Sequence, residues 1–326
     1  MEKQPVISVL VPIFRVENYL ARCLDSILEQ NFTEFEVVLV NDASPDNSAR
    51  IAAEYAARDC RIRILHHEQN LGLMAARRTG YQHVRGKYII FCDSDDFLPP
   101  NALAALYQKI EETQADIVFG DYVFINSRGK HTYRRHSRIP CRTVDDVQKA
   151  LLLQQMFCSL CCSIFKSSLF SNYSYTSLPD ITVSEDRMLL IQILCNTTSI
   201  AFLEKNTYFY CQNQSSSTRT RMNITQLKNT LNCYCWIYDF LIRFDIYPEL
   251  TRRYLLRVVD SLLEQGYEQE VLLMPKTLKE LYTFSNHRKL LGWRIAIHAE
   301  LLKLSRFYRW SCRTVRLKIQ RLQGKS

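Results

Sequence analysis

The first hundred residues alternate between nearly continuous apolar runs and segments with helical periodicity. The apolar runs are VISVLVPIF at 6–14, FEVVLVND at 35–42, IRIL at 62–65 and KYIIFCD at 87–93. The helix-like segments between them, in which apolar residues recur at helical spacing, lie at 17–30, 49–59 and 73–84. Strands that are apolar throughout are typical of a parallel sheet covered by helices on both faces. The pattern therefore predicts an α/β fold whose mostly parallel sheet is flanked by helices.

The rest of the chain predicts mixed elements and then a long helical region. A helix after Pro99 ends near Thr113, and the next elements are a strand or hairpin at 116–125, a basic polar loop at 128–138, and helices at 145–156 and 184–194. From residue 223 onward the pattern is helical, with breaks near residues 248, 266 and 285. We therefore expect an N-terminal domain at 1–220 and a helical C-terminal region at 221–326.

Hydropathy and the distribution of cysteines indicate the cellular compartment in which the protein works. The chain contains no apolar stretch of about 18 residues and no leader pattern, so we expect a cytoplasmic protein that is neither secreted nor membrane-spanning. The 12 cysteines are scattered, which favours reduced thiols over a disulfide framework. The densest group is Cys158, Cys161 and Cys162, and zinc would need a fourth ligand, so we interpret these as buried free thiols.

Polar side chains follow the apolar runs where the predicted strands end. CDSDDF at 92–97 places three aspartates directly after a buried strand. Carboxylates at the edge of an apolar core are costly without positive charge, which Mg²⁺ or Mn²⁺ with substrate phosphates commonly supplies. The alternative is a solvated turn that caps the helix after Pro99. Because ligands of parallel sheets bind at the carboxyl ends of strands, we expect 93–96 to lie near 12–14 and 41–44.

Two further groups could face a ligand at this edge. Asp42 could accept a hydrogen bond from a base or a ribose hydroxyl, although the turn after it also suits the ordinary start of a helix, with Asp46 as its cap. Gly72 precedes a helix whose first turns carry Arg77 and Arg78, a combination that suits a diphosphate. A surface helix with solvated arginines is the alternative.

The ordered set of motifs resembles the family 2 glycosyltransferases, which have the GT-A fold. The matching motifs, between residues 5 and about 220, are VISVLVP with ENYL, VVLVNDASPDNS, NLGLMAARRTG, GKYIIFCDSDD and SEDRMLL. The resemblance implies a Rossmann-like GT-A domain with a donor half at about 1–115 and an acceptor half at about 116–220. It also implies a UDP-sugar donor and Mn²⁺ or Mg²⁺ as cofactor.

The resemblance also implies roles for individual residues. Those implied to contact the nucleotide-sugar are Pro12, Phe14, Glu17, Asp42, Gly72, Arg77, Asp93, Ser94 and Asp96. Within this set Asp42 would recognise the base and Asp96 would lie near the sugar. Asp93 and Asp95 would form the D-x-D pair that holds the metal.

In the same comparison, SEDRMLL resembles the acid pair whose second member is the catalytic base. Asp186 is then the base and Glu185 its neighbour. Such a carboxylate must lie beside the acceptor hydroxyl, opposite the leaving diphosphate, for an in-line displacement that inverts the anomeric centre. The alternative is that both acids stabilise the start of the helix.

Three departures from the family pattern affect the acceptor side. Arg78 stands where the family often has Asn, Cys162 and Ser163 replace part of a Trp-Asn-Lys segment, and Cys211 stands where Arg is common. We therefore expect the donor side to follow the family more closely than the acceptor side does.

The positive charge is concentrated at the C-terminus. The formal net charge is +9, and 288–326 holds 11 basic residues against one acid, Glu300. Within 301–322 one face is apolar, and arginines recur on another from Arg306 to Arg316. This amphipathic helix suits packing on its own domain or an anionic bilayer at the inner face of the cell membrane. We expect no nucleic-acid partner, because no nucleic-acid motif accompanies the charge.

The sequence thus predicts an inverting hexosyl- or N-acetylhexosaminyltransferase that acts on a glycan or lipid-linked glycan in capsule, exopolysaccharide or lipopolysaccharide synthesis. One alternative is a nucleotide-binding scaffold protein that has lost transfer. Retention of Asp93, Asp95 and Asp186 argues against it. The other is a nucleotidyltransferase, which would need a glycine-rich loop with Arg and Lys after the first strand, and PIFRVENYL supplies none.

Overall fold

The computed structural model describes residues 4–178, 181, 184–213 and 222–264. The described chain divides into two compact units, Met1–Cys233 and Tyr234–Ser326. The division expected from the sequence falls at 220 and 221, outside the described residues, and stays a prediction.

The first unit is built on one eight-stranded sheet. Its strands are β1 (Ile7–Ile13), β2 (Phe35–Asn41), β3 (Ile62–His66), β4 (Tyr88–Phe91), β5 (Ile117–Ile125), β6 (His131–Arg134), β7 (Ser163–Lys166) and β8 (Ile200–Cys211). The sheet order is β3-β2-β1-β4-β7-β5-β6, and β8 pairs with β5. The pairs β1–β2, β1–β4, β2–β3 and β5–β8 are parallel, whereas β7 is antiparallel to both β4 and β5.

Helices connect the strands and continue beyond them. They are α1 (Leu20–Leu28), α2 (Ser48–Arg58), α3 (Leu73–Gln82), α4 (Ala102–Thr113), α5 (Val144–Leu152), α6 (Ser168–Ser171), α7 (Glu185–Cys195), α8 (Ile224–Arg243) and α9 (Pro248–Glu264). The predicted α/β class and the helical region after residue 223 are confirmed within the described residues. None of the described helices combines the length and apolarity that a membrane crossing requires.

Continuous burial of β1, β2 and β4 explains why their sequences are nearly continuous apolar runs. Every residue of β1, β2 and β4 is buried, so both faces of this part of the sheet are covered. The parallel β1 runs between β2 and β4, and the carboxyl ends of the three strands meet at one edge. That edge carries 12–14, 41–44 and 93–96, as the sequence predicts.

The structure corrects the prediction of a loop at 128–138. The segment forms β6, which pairs antiparallel with β5, and then a 3₁₀ turn at His136–Arg138. Asn126 makes the reversal because its side chain accepts from the N–H groups of Arg128 and Lys130, and Gly129 has φ +72°. All four β6 side chains are exposed, so no alternation of apolar and polar residues marks the strand.

Candidate active site

The three aspartates after β4 lie in a turn that is closed by a hydrogen bond from the Asp96 N–H to the Asp93 carbonyl at 3.0 Å. Asp93 and Asp95 are partly exposed, whereas Ser94 and Asp96 are 5 % and 2 % exposed. The residue that precedes helix α4 as its cap is Asn101, not an aspartate. The interpretation of this segment as a helix-capping turn is therefore wrong, and two carboxylates face outward at the sheet edge.

Asp96 anchors the segment to β8. Its carboxylate accepts from the Tyr208 hydroxyl at 2.7 Å and from the Cys211 N–H at 2.6 Å. The Asp93 N–H donates to the same Tyr208 oxygen at 3.1 Å. Burial, with the charges of Asp95 and Asp93, raises the pKa of Asp96 well above its usual range. Because both of its oxygens are used inside the protein, Asp96 is a positioning residue, and its predicted contact with the sugar stays a prediction.

The two outward carboxylates fit a hard divalent cation. Burial and the charge of Asp93 raise the pKa of Asp95, so the site is short of positive charge. Asn213 donates to one oxygen of the Asp95 carboxylate at 3.1 Å. The described residues contain no cluster of three or more metal-ligating side chains. A cation that also binds substrate phosphates needs only one or two protein carboxylates, so the pair suffices.

Arg77 lies between this segment and helix α7. Its side chain is 1 % exposed, donates to Asp93 Oδ1 at 2.8 Å, and forms a second ion pair with Asp186. Burial opposes its charge, but Asp186 and Asp93 raise its pKa well above the usual value. The alternative of solvated arginines is thus wrong for Arg77. Arg77 forms a buried bridge between Asp93 and the predicted base Asp186, and its predicted place at the border of the donor stays a prediction.

The acid pair begins α7 and faces this bridge. Asp186 pairs with Arg77 and accepts from the Leu160 N–H at 3.4 Å, so it does more than stabilise the helix start. Burial, and next the charge of Asp186, raise the pKa of Glu185 to about 7. Within the described chain, Glu185 Oε2 is buried without a hydrogen-bond partner. Asp186 itself has a raised pKa, because burial and Asp93 outweigh Arg77.

Asp42 organises the loop before α3. Its carboxylate accepts from the ring of His67 at 2.6 Å and from the Leu71 and Gly72 N–H groups at 2.8 Å each. Gly72 has φ +87°, a left-handed conformation that glycine adopts without strain. Asp42 is 3 % exposed and its oxygens are occupied. Its contact with a base stays a prediction, as does that of Gly72 with the donor.

The ends of β1 and β2 are fastened to each other. The Arg15 N–H donates to Ser44 Oγ at 2.7 Å, and the Glu17 N–H donates to Asp46 Oδ2 at 3.0 Å. Burial opposes the charge of Asp46, but hydrogen bonds from Ser44 and other neighbours lower its pKa to about 2. Asp46 also accepts from the Ser48 N–H in the first turn of α2, but the cap position of this helix is Asn47, not Asp46 as the sequence suggested.

The predicted nucleotide pocket lies beside this junction. Pro12 is buried at the end of β1, whereas Phe14 is 38 % exposed, with the Arg15 guanidinium 5.3 Å from its ring centre. Glu17 accepts from both the backbone and side-chain nitrogens of Asn47, at 2.9 and 2.7 Å. That these three residues form a nucleotide pocket stays a prediction.

The structure adds contacts that sequence reasoning missed. Tyr208, Asn213 and Arg22 all reach the aspartate segment, the last by donating to the Asp95 carbonyl at 2.7 Å. They lie far from it in sequence, so no local pattern marks them. Cys161 and Cys162 are buried free thiols, as interpreted from the sequence, whereas Cys158 is a free thiol that is only partly buried.

Comparisons with known proteins agree with this architecture. The chain is 31 % identical over 219 residues to the uncharacterized glycosyltransferase EpsJ of Bacillus subtilis, which covers 66 % of this chain and 63 % of EpsJ. It is 27 % identical over 238 residues to glycosyltransferase GlyG of Streptococcus pneumoniae, covering 70 % of this chain and 78 % of GlyG. The chain thus spans less than two thirds of the length of EpsJ.

Among solved structures, S. aureus TarS 1–349 in complex with UDP-GlcNAc superposes with a TM-score of 0.65 at 18 % identity, covering 91 % of this chain and 83 % of that one. This likeness confirms the predicted GT-A fold. The family model for glycosyl transferase family 2 matches residues 8–174, just over half of the chain. The chain therefore belongs to glycosyl transferase family 2.

Proposed function

We propose that this protein is an inverting glycosyltransferase that moves a sugar from a UDP-sugar to a hydroxyl of a glycan or lipid-linked glycan. The observation that carries the proposal is the buried bridge of Arg77 between Asp93 and Asp186. One guanidinium holds a carboxylate of the D-x-D pair and the candidate base together. Donor and acceptor chemistry would therefore meet at this point.

The proposed reaction is a single displacement. One carboxylate of the acid pair takes the proton of the acceptor hydroxyl, and the acceptor oxygen forms a bond to the anomeric carbon. The bond between the anomeric carbon and the UDP oxygen breaks, with inversion at that carbon. We assign the base to Asp186, because its ion pair with Arg77 fixes its position. Mn²⁺ or Mg²⁺ held by Asp95 and Asp93 would supply positive charge against the diphosphate.

The donor and the setting are further parts of the proposal. A UDP-sugar is supported by the fold that this chain shares with TarS, whose structure was solved with UDP-GlcNAc. The surface-glycan setting is supported by membership of family 2. We also propose the division at residue 220 into a transferase domain and a helical region. The tail helix at 301–322, proposed to bind an anionic inner membrane face, lies outside the described residues.

Nucleotide binding provides the first test. We expect the melting temperature to rise with UDP and Mn²⁺ together, since a ligand at 100 times its Kd adds about 2.7 kcal/mol of stability. GDP, CDP and ADP, each tested in place of UDP, show whether the shift is specific for the uracil base. The shift should vanish in Asp95→Ala and persist in Glu112→Ala, which removes an exposed carboxylate on α4. A manganese-dependent shift in Asp95→Ala would overturn the metal assignment, and no shift with any nucleotide would favour a scaffold protein.

Glu185 gives the stability of the protein a distinct pH dependence. Its pKa of about 7 in the folded protein lies above the ordinary glutamate value of 4.5, so between these pH values the folded state holds a proton that the unfolded state has lost. Its contribution to stability is present below about pH 4.5 and is lost as the pH rises through about 7.

Replacing Glu185 with glutamine should therefore stabilise the protein at pH 8 relative to wild type, and by less at pH 5. Urea denaturation at both pH values measures the difference. Glu112→Gln, at an exposed position, is the matched control and should show no such change. A Glu185→Gln variant whose stability relative to wild type is the same at both pH values would contradict the raised pKa.

A further inference from the structure

The register between β5 and β8 breaks next to the active site. Between Gly120 and Tyr122 the strand β8 inserts extra residues, namely Glu204, Lys205 and Thr207. The Thr207 hydroxyl is buried and lies 2.9 Å from the Cys162 carbonyl, and a Cβ on Gly120 would lie 2.2 Å from it. The irregularity is thus built into the packing. Bulges of this kind re-aim side chains and are frequent beside functional sites.

A fixed 3₁₀ turn lies opposite this bulge. His136 is 3 % exposed and donates through Nδ1 to the Gly120 carbonyl at 3.1 Å. Burial lowers the pKa of His136 to about 4, so the ring is neutral at pH 7. The N–H and hydroxyl of Ser137 donate to the two oxygens of Asp121, at 3.0 and 2.9 Å. These bonds hold the turn and occupy the Asp121 carboxylate.

Bulge and turn enclose a cavity of about 290 Å³ with a cationic rim. Its charged groups are Arg134, Arg135, Arg138, Lys205, Glu204 and Asp121. No ion pair of the four cations with a carboxylate is found among the described residues, and all four are exposed. With Asp121 occupied by Ser137, the cavity has more positive charge than its own acids can balance. Arginine guanidinium groups of this kind favour phosphate and carboxylate ligands.

A pair of aromatic rings, Tyr122 and Phe157, lies between this cavity and the chain segment that contacts the candidate base. Tyr122 lines the cavity, and its ring centre lies 5.1 Å from that of Phe157. Phe157 is 44 % exposed, an unusual position for a large apolar ring. Three residues further along, the Leu160 N–H donates to Asp186. Phe157 therefore contacts a residue that lines the cavity and lies three residues before the backbone N–H that binds Asp186.

We infer that this cavity is a subsite for an anionic group of the acceptor, a phosphodiester or a carboxylate, with the neighbouring part of the acceptor lying on Phe157. The inference rests on the proposed function, in which the acceptor hydroxyl meets Asp186. An acceptor can occupy the cavity and reach Asp186 at the same time only if its anionic group lies some distance from the hydroxyl that reacts. A neutral glycan would leave Arg134, Arg135, Arg138 and Lys205 without a partner.

Binding measured without donor tests the inference separately from transfer. The probes are fluorescent oligomers: a glycerol-phosphate chain, a glucuronate-containing oligosaccharide and a neutral glucose oligosaccharide. We expect at least one anionic probe to bind more tightly than the neutral one, and binding to weaken with added salt. The double variant Arg135→Ala/Arg138→Ala should weaken that binding by about tenfold. The matched control Arg58→Ala/Lys228→Ala, at exposed cations on α2 and α8, should change it by less than about twofold.

Each outcome decides a different point. Tight binding of the glycerol-phosphate chain alone identifies a phosphodiester, and tight binding of the glucuronate probe alone identifies a carboxylate. Equal binding of neutral and anionic probes, or equal loss in the double variant and its control, would overturn the inference. Anion binding at the cavity with no UDP-dependent rise in melting temperature would instead refute the proposed transferase and leave the ligand class of the cavity standing.

Discussion

Replacing Asp186 with asparagine is expected to lower turnover by about 10²–10⁴-fold while the donor still binds. Asparagine has nearly the same shape, and its amide oxygen can still accept from Arg77. It cannot take a proton from the acceptor hydroxyl. The loss should therefore appear in kcat, with little change in the concentration of UDP-sugar that gives half-maximal rate.

UDP release from a UDP-sugar in the presence of acceptor measures this effect. UDP-GlcNAc is the first donor to try, because TarS, which shares the fold, was solved with it. Glu185→Gln, assayed in parallel, separates the two acids, since only the base should show the full loss. The control is Asp145→Asn, at an exposed residue of α5. Unchanged turnover in Asp186→Asn would remove Asp186 from its role, and a larger loss in Glu185→Gln would transfer that role to Glu185.

The donor half of the fold could be predicted from sequence because its strands are buried on both faces. Such strands are nearly continuous apolar runs, interrupted here only near their starts by Ser8 and Glu36, and the polar residues Asn41 and Asp93 mark where β2 and β4 end. The rule that parallel strands bind ligands at their carboxyl ends then places these positions together. The same reasoning fails for β6, whose side chains are all exposed, and the register break in β8 depends on packing around Thr207.

The ion pairs and hydrogen bonds within the site could not be predicted, because they join residues that are far apart in the sequence. Helical periodicity does not reveal that Arg77 is buried, since its partner Asp186 lies 109 residues further along the chain. Similarly, the inward direction of Asp96 follows from Tyr208, which is 112 residues away. The motif order identified the residues of the site, but only the tertiary structure distinguishes outward carboxylates from those that position them.

Replacing Arg77 with methionine is expected to reduce the free energy of unfolding by about 3–5 kcal/mol. The change keeps an unbranched chain but leaves the carboxylates of Asp93 and Asp186 without their shared cation. Both lie mostly out of water, with side chains 25 % and 18 % exposed, so solvent compensates only in part. Urea denaturation followed by circular dichroism measures the loss.

A second substitution tests that reason. The double variant Arg77→Met/Asp186→Asn should recover part of the loss, because one of the two uncompensated charges is gone. Lowering the pH from 8 to 5 should also reduce the penalty of Arg77→Met, because burial raises the pKa of Asp186 and protonation of Asp186 removes one of these charges. A loss below about 1 kcal/mol that is unaffected by pH or by the second substitution would show that the ion pairs are not what stabilises this region.

Arg77→Lys distinguishes charge from geometry at the same position. A lysine keeps the positive charge, but its single ammonium group lacks the fork by which Arg77 reaches Asp93 and Asp186 through different nitrogens. We expect most of the stability to return and turnover to stay low, because Asp93 and the candidate base Asp186 would no longer be held by one planar group. Full recovery of turnover in Arg77→Lys would mean that positive charge alone is required. In that case the position of Asp186 would be set by its helix and by the Leu160 N–H rather than by Arg77.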